Sequence, residues 1–286
     1  MRTFTYTSGV DPTTTVDLAD PESIMIGQIR DLRTTGWNVD TDYRTVTSAI
    51  REAREAEATA NCPSLEALDR AVMVFDADLA GLDNGQGRRT AGTLTVDGWT
   101  QKCLVPRVKP SITFHGFAQC DITFLLLDGV WRHDMDTLHY WPASTSGGAA
   151  DLDLPTDMPF DLAGGAKIDT LVNTSLLPRP WRMTIFGPAT NPSIVIGGNT
   201  HQIDVTIPAG GYLLIDAIDN EKQVLLVDQN GNRANVLDKA RRGTGQGSGE
   251  YIFERIPAGT SALSWSNSFG FDLTVVEERS VPPWSN

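Results

Sequence analysis

The sequence predicts a mainly β chain in two domains: an N-terminal β domain with one helix, and a C-terminal antiparallel β-sandwich. Three observations lead there. Only PSLEALDRAVMVFDADLAG repeats its apolar residues clearly at helical spacing. Most of the rest alternates polar with apolar residues between turns rich in glycine, proline and asparagine. The alternation stops across PASTSGGAADLDLPTDMPFDLAGGA, where Pro142, Pro155 and Pro159 stand with Gly147, Gly148, Gly164 and Gly165. With 286 residues, the chain is long for one core, and that stretch is the best place to divide it. The expected units are residues 1–142, a linker at 143–165, and residues 166–286.

In the first unit, Leu65, Leu68, Val72, Phe75 and Leu79 recur at spacings of three and four, so they are predicted to share one helical stripe. Pro63 and Ser64 supply a start, Glu66 suits the first turn, and Gly81 suits the end. Just upstream, AIREAREAEA has helical propensity but a thin apolar pattern, and it fits a charged strand equally well. GTLTVDGWTQKCLVPRV alternates and reverses at Asp97-Gly98, a strong hairpin signal. SITFHGFAQCDITFLLLDGVW continues in the same mode. In the second unit, KIDTLVNTSL, WRMTIFG, SIVIGG, HQIDVTIP, YLLIDAI, QVLLVD, EYIFERIP, TSALSWS and FDLTVVEE read as short strands with no helix between them. Gly197-Gly198, Pro208 to Gly211, Asn230-Gly231 and Pro257 to Gly259 are their turns, which is the pattern of a sandwich.

Composition narrows the function. The net charge is −13 and the pI is about 4.6, so a grip on nucleic acid through a basic patch is disfavoured. No apolar stretch approaches the ~18 residues of a membrane helix. The start, MRTFTYTSGVDPTTTVDLAD, lacks an apolar core and does not read as a secretory signal, so folding in a cytoplasm is expected. Cys62, Cys103 and Cys120 are widely spaced and form no C-x-x-C, which favours buried thiols over a zinc site or disulfide framework.

Four groups of residues carry side chains suited to chemistry. In GGYLLIDAIDNEKQVLLVDQNGN, Asp216, Asp219, Glu221 and Asp228 fall at chain reversals, where short polar side chains satisfy local backbone donors; a metal site is the competing reading. His133, Asp134, Asp136 and His139 in WRHDMDTLHYW carry ligand chemistry but no spacing with a mechanism attached. A polar loop edged by Trp131 and Trp141 is the simpler expectation. RRGTGQGSGE departs from both phosphate-loop patterns, and a strand pattern rather than a helix follows, so a flexible surface loop is expected. No nucleophile elbow is present. The seven tryptophans, Trp37, Trp99, Trp131, Trp141, Trp181, Trp265 and Trp284, are either sugar platforms or, more simply, core and interface fillers.

The order of several motifs is familiar. IFGPATNPSIVIGG leads to IPAGGYLLIDAIDNEKQVLLVDQNGNRANV, then FERIPAGTSALSWS, and last RSVPPW. Before them come W-x-x-D at Trp37 to Asp40, the helix near FDAD, G-x-L-x-V-x-GW and ITFLLLDGVW. Together these resemble the distal tail proteins (Dit family) of long-tailed, non-contractile bacteriophages. The stretch Ala143 to Ala166 and the loop RRGTGQGSG depart from that pattern.

The resemblance implies a split-barrel-like belt domain with one helix, followed by a galectin-like β-sandwich. It also implies a homohexameric ring between the tail tube protein and the tail-tip hub protein, with a receptor-binding protein as a further partner. DNA would only pass through, no membrane would be involved, and the place would be the virion tail tip after assembly in the host cytoplasm. No catalytic residue, cofactor or metal is expected. The rivals are a carbohydrate-binding module for host glycans, and a glycosidase or metal-dependent hydrolase using His133, Asp136 and His139.

Overall fold

The computed structural model describes residues 3–81, 91–142 and 167–283. The chain forms two compact units, Met1–His133 with Glu278–Asn286, and Asp134–Glu277. The expected linker, residues 143–165, lies outside the described residues.

The first unit contains β1 (Phe4–Thr7), β2 (Thr15–Asp17), β3 (Met25–Arg30), β4 (Asn38–Asp42), β5 (Thr45–Ile50) and β6 (Arg54–Cys62). The helix α1 (Leu65–Ala80) follows, then β7 (Gly92–Val96), β8 (Trp99–Phe114), β9 (Phe117–Leu126) and β10 (Trp131–Asp134), which ends at the boundary. All named pairings are antiparallel. One run is β2-β1-β7-β8-β10 and the other is β3-β6-β9-β8. Strand β8, 16 residues long, belongs to both and so splits the barrel. Register shifts between Leu104 and Arg107, and between Pro110 and Ile112, mark where it departs from a regular ladder. Pro106 falls inside the first shift, where a missing N–H does least harm.

Alternation decides the core. Phe4, Tyr6, Leu94, Val96, Ile122 and Phe124 point inward from their strands. AIREAREAEA resolves as strand: Ala56, Ala58, Ala60 and Cys62 are buried on β6, while Glu55 and Glu57 are exposed. At the β7–β8 turn, Asp97 and Gly98 both have positive φ, 48° and 83°, as the expected tight hairpin requires.

The helix starts and stops as expected. Ser64 Oγ accepts the Ala67 N–H at 3.2 Å, and the Gly81 N–H donates to the Ala77 carbonyl at 2.8 Å. Its buried stripe differs from the predicted one. Ala67, Ala71, Phe75 and Asp78 face inward; Leu65 is exposed and Leu68, Val72 and Leu79 are half-buried. Small alanines let the helix backbone approach the barrel, and Asp78 is drawn inside by hydrogen bonds described below.

The second unit contains β11 (Leu138–Tyr140), β12 (Lys167–Asn173), β13 (Trp181–Phe186), β14 (Ala189–Thr190), β15 (Ser193–Ile196) and β16 (Asn199–Gln202). It continues with β17 (Thr206–Ile207), β18 (Tyr212–Asp216), β19 (Gln223–Val227), β20 (Arg233–Asn235), β21 (Gly259–Trp265) and β22 (Phe271–Arg279). One sheet runs β11-β22-β13-β18-β19-β20 and another β12-β21-β15-β16, with β14 and β17 as a separate pair. Between the sheets lie Trp181, Met183, Leu213, Ile215 and Phe271 from one side, and Ile194, Ile196, Leu263 and Trp265 from the other. The fold is therefore mainly β, a split-barrel-like unit with one helix and a galectin-like antiparallel sandwich.

EYIFERIP, expected as a strand, is instead a turn followed by an isolated bridge between Ile256 and Arg179. Its carbonyls are taken by side chains. Asn199 Nδ2 donates to Tyr251 O at 3.0 Å, His201 Nδ1 bonds Ile252 O at 2.9 Å, and Trp181 Nε1 donates to Glu254 O at 2.7 Å. With those acceptors used, a ladder has little left to gain.

Candidate functional site

The four acids of the Gly210–Asn232 stretch do not converge on one point. Asp228 closes a turn, accepting the Asn230 and Asn232 N–H groups at 2.8 and 2.9 Å and Asn232 Nδ2 at 2.8 Å. Those bonds hold its carboxyl below the ordinary range. Asp219 and Glu221 differ from expectation, because both are held by cations from other segments. Asp219 binds Lys222 at 2.9 Å and Arg255 at 2.6 Å. Arg182 of β13, opposite Asp216 in the ladder, reaches Asp216 at 3.1 Å, Glu221 at 3.5 Å and Asp134 at 2.7 Å. Burial pushes the Asp216 carboxyl up, while for Arg182 the surrounding carboxylates outweigh burial and push the guanidinium up. This is an ionic staple across three segments. Sequence spacing did not reveal it, since Arg182 stands about thirty residues from the hairpin in sequence.

The His133–His139 stretch separates rather than gathers. It is not a loop: it contributes to β10 and β11. His133 stacks on Trp99 with ring centroids 5.3 Å apart, and its Nδ1 lies 2.9 Å from Gly98 O. Asp134 is bidentate to Arg182, and His139 Nδ1 lies 2.6 Å from Asp272 Oδ1. Trp131 is fully buried, so it is core rather than an edge of this stretch. Among the described residues, no three His, Cys, Asp or Glu side chains are grouped so as to hold a metal ion.

The RRGTGQGSGE loop carries Gly243, Gly245, Gly247 and Gly249, all with positive φ. It is tied down: the Gly247 N–H donates to Glu254 Oε2 at 2.6 Å, and Gly249 O accepts the Thr200 N–H at 2.8 Å. The anion at this backbone is thus the protein's own glutamate. Trp99, Trp131, Trp181 and Trp265 are buried; Trp37 and Trp141 are exposed, and Trp141 stacks on Phe186 at 5.3 Å. Trp284 lies outside the described residues. Cys62, Cys103 and Cys120 are free and buried, and burial pushes the Cys62 thiol up to about 12. A groove of about 230 Å³ on the β3-β6-β9-β8 face is lined by Arg30, Glu57, Arg107, Lys109, Asp121 and Thr123. Its mixed charges and shallow wall lack the apolar enclosure usual for small-molecule sites.

No sequence motif singles out Asp78. Its side chain is fully buried in the last turns of α1. It accepts Tyr6 Oη at 2.7 Å, Ser8 Oγ at 2.6 Å, and the Gly9 and Val10 N–H groups at 3.0 and 3.1 Å. Burial opposes its charge, but these donors together hold the carboxyl below its ordinary value. Burial, with Asp78 beside it, raises the Tyr6 hydroxyl. The group is a structural tie from helix to first strand. A signal existed: an acid in a helix's last turn opposes the dipole and needs a reason to be there.

No family model and no curated protein matches the sequence. Solved structures do. The chain is similar, over 97% of its length, to the whole of the Dit protein of phage SPP1, described as a paradigm of the hub adsorption apparatus in phages infecting Gram-positive bacteria (13% identity, TM-score 0.54). It is also similar, over 99% of its length, to a whole chain of the phage p2 baseplate in its activated conformation. That baseplate was solved with strontium (10% identity, TM-score 0.61) and with calcium (11% identity, TM-score 0.61). From first unit to last, this chain has the fold of the phage distal tail protein.

Proposed function

We propose that the protein is a structural component of a phage tail tip, not an enzyme. It forms a hexameric ring that joins the tail tube to the tail-tip hub and the receptor-binding apparatus. The observation that supports this is the extent of the likeness: 97% to 99% of the chain is similar in fold to whole chains of a phage hub adsorption apparatus and a phage baseplate. The staple at Arg182, the tie at Asp78 and the closed turn at Asp228 each cross-link separate stretches of chain, which suits a rigid ring subunit. A heterologous contact that closes after a fixed rotation is what such a ring requires. The net charge of −13 suits a passage that DNA slides through without sticking.

Native mass spectrometry of the chain with its cognate tail tube and hub proteins tests this. A species at six times 31.1 kDa is expected. A chain that stays monomeric beside both partners and turns over a substrate would overturn it.

A further inference from the structure

Gln101 lies in the barrel core, 2% exposed, and neither its Oε1 nor its Nε2 has a hydrogen-bond partner among the described residues. Exchanging the two ends of the amide does not help, since both lack a partner. Trp131 is fully buried, and its indole Nε1–H is in the same condition. Buried polar atoms in folded proteins are almost always satisfied, by protein or by ordered water.

The strand register brings the two side chains together. Leu94 of β7 pairs with Tyr6 on β1 and with Gln101 on β8. On the other side of β8, Thr100 pairs with Arg132, so one residue further along Gln101 stands across from Trp131. Tyr6, Leu94, Gln101 and Trp131 are all buried, and Trp99 and Cys103 flank Gln101 on the same face of β8. The Tyr6 hydroxyl is already given to Asp78. The barrel wall is also interrupted here: β8 pairs with β9 as far as Cys103 and Leu126, and meets β10 at Thr100 and Arg132. Gln101 sits at the break between these two neighbours.

The chemistry of the unpaired atoms selects a ligand. The amide and indole N–H groups need an acceptor, while the amide oxygen needs a donor. A cation would repel the donors and an anion would repel the oxygen, whereas water accepts and donates at once. We infer that a water molecule is bound inside the barrel between Gln101 and Trp131. It accepts the Trp131 Nε1–H and one Gln101 Nε2–H, and it donates to Gln101 Oε1. That makes about three bonds, the usual number for a buried water. The site ties β8 to β10 beside the Thr100–Arg132 pair.

The test reads water directly by NMR in the isotope-labelled full chain, assigned through bonds. Cross-peaks at the water frequency are expected on both the Trp131 indole N–H and the Gln101 side-chain amide. Their signs should be opposite in laboratory-frame and rotating-frame experiments, the mark of a tightly held water. Gln101→Met keeps the length of the side chain and removes the amide. In that variant the Trp131 cross-peak is expected to be lost while the other indole signals keep their positions. A cross-peak that survives unchanged in Gln101→Met would belong to a neighbouring hydroxyl and would overturn the site. Absence of a water cross-peak at either group in the wild type would also overturn it, and that reading decides even where the variant fails to fold.

Discussion

Each unit buries an ionisable side chain almost completely, and the two solve the problem in opposite ways. In the barrel, Asp78 is fully buried and stays charged, because two hydroxyls and two backbone N–H groups point at it. In the sandwich, His201 is 2% exposed and stays neutral. It lies edge-on to Trp181 at 5.0 Å, with Nδ1 on Ile252 O and Nε2 3.2 Å from Asn199 Nδ2. Burial pulls its pKa down to about 4, although the Ile252 carbonyl favours the proton. The difference shows that donor supply, not depth, decides whether a buried group keeps its charge.

The sharpest way to break the comparison is Asp78→Ala. Four donors would lose their acceptor, and a loss of more than about 3 kcal/mol is expected from urea unfolding. Next is Gly92→Ala, since an added Cβ would lie 2.2 Å from Tyr6 Oη and 2.8 Å from Asp78 Oδ2. Displacing that pair should cost about 1–3 kcal/mol, read the same way. The His201 effect appears through pH. Its folded pKa lies below the ordinary 6.5, so between pH 6.5 and about 4 the unfolded chain binds the proton that the folded chain refuses. Stability therefore falls as pH drops through that window, by at most about 3 kcal/mol, and is flat for this group below it. His201→Gln should flatten the slope there. Asp78 acts in a lower window: its folded pKa is depressed, so its contribution is present above the unfolded carboxylate range and fades as pH falls through the folded value. The smallest effect is for Val46→Asp on the exposed β4–β5 hairpin, within about 0.5 kcal/mol of wild type.

The sequence made the fold class legible because alternation and turn chemistry act within a few residues. Asp97-Gly98 and the Ser64 cap needed no distant partner to be read. Asp78, Arg182 and His201 were missed for the converse reason. Their meaning comes from segments 72, 34 and 51 residues away in sequence. The helix stripe lay between these cases: period and ends were local, but its rotation was set by Ala67 and Ala71 packing close and by Asp78 turning inward. EYIFERIP misled because its β pattern was real, while its acceptors had been claimed from elsewhere.

The barrel is completed by the last stretch of chain. Glu278 lies 3.3 Å from Arg132, and Arg33 Nη2 donates to Pro283 O at 3.2 Å, so residues 278–283 belong to the unit that begins the sequence. During translation that unit must wait, unfinished, until the sandwich has been synthesised and residues 278–283 have followed it. A chain stopped before them carries an unfinished barrel, so the unit begun first is closed after the one begun second.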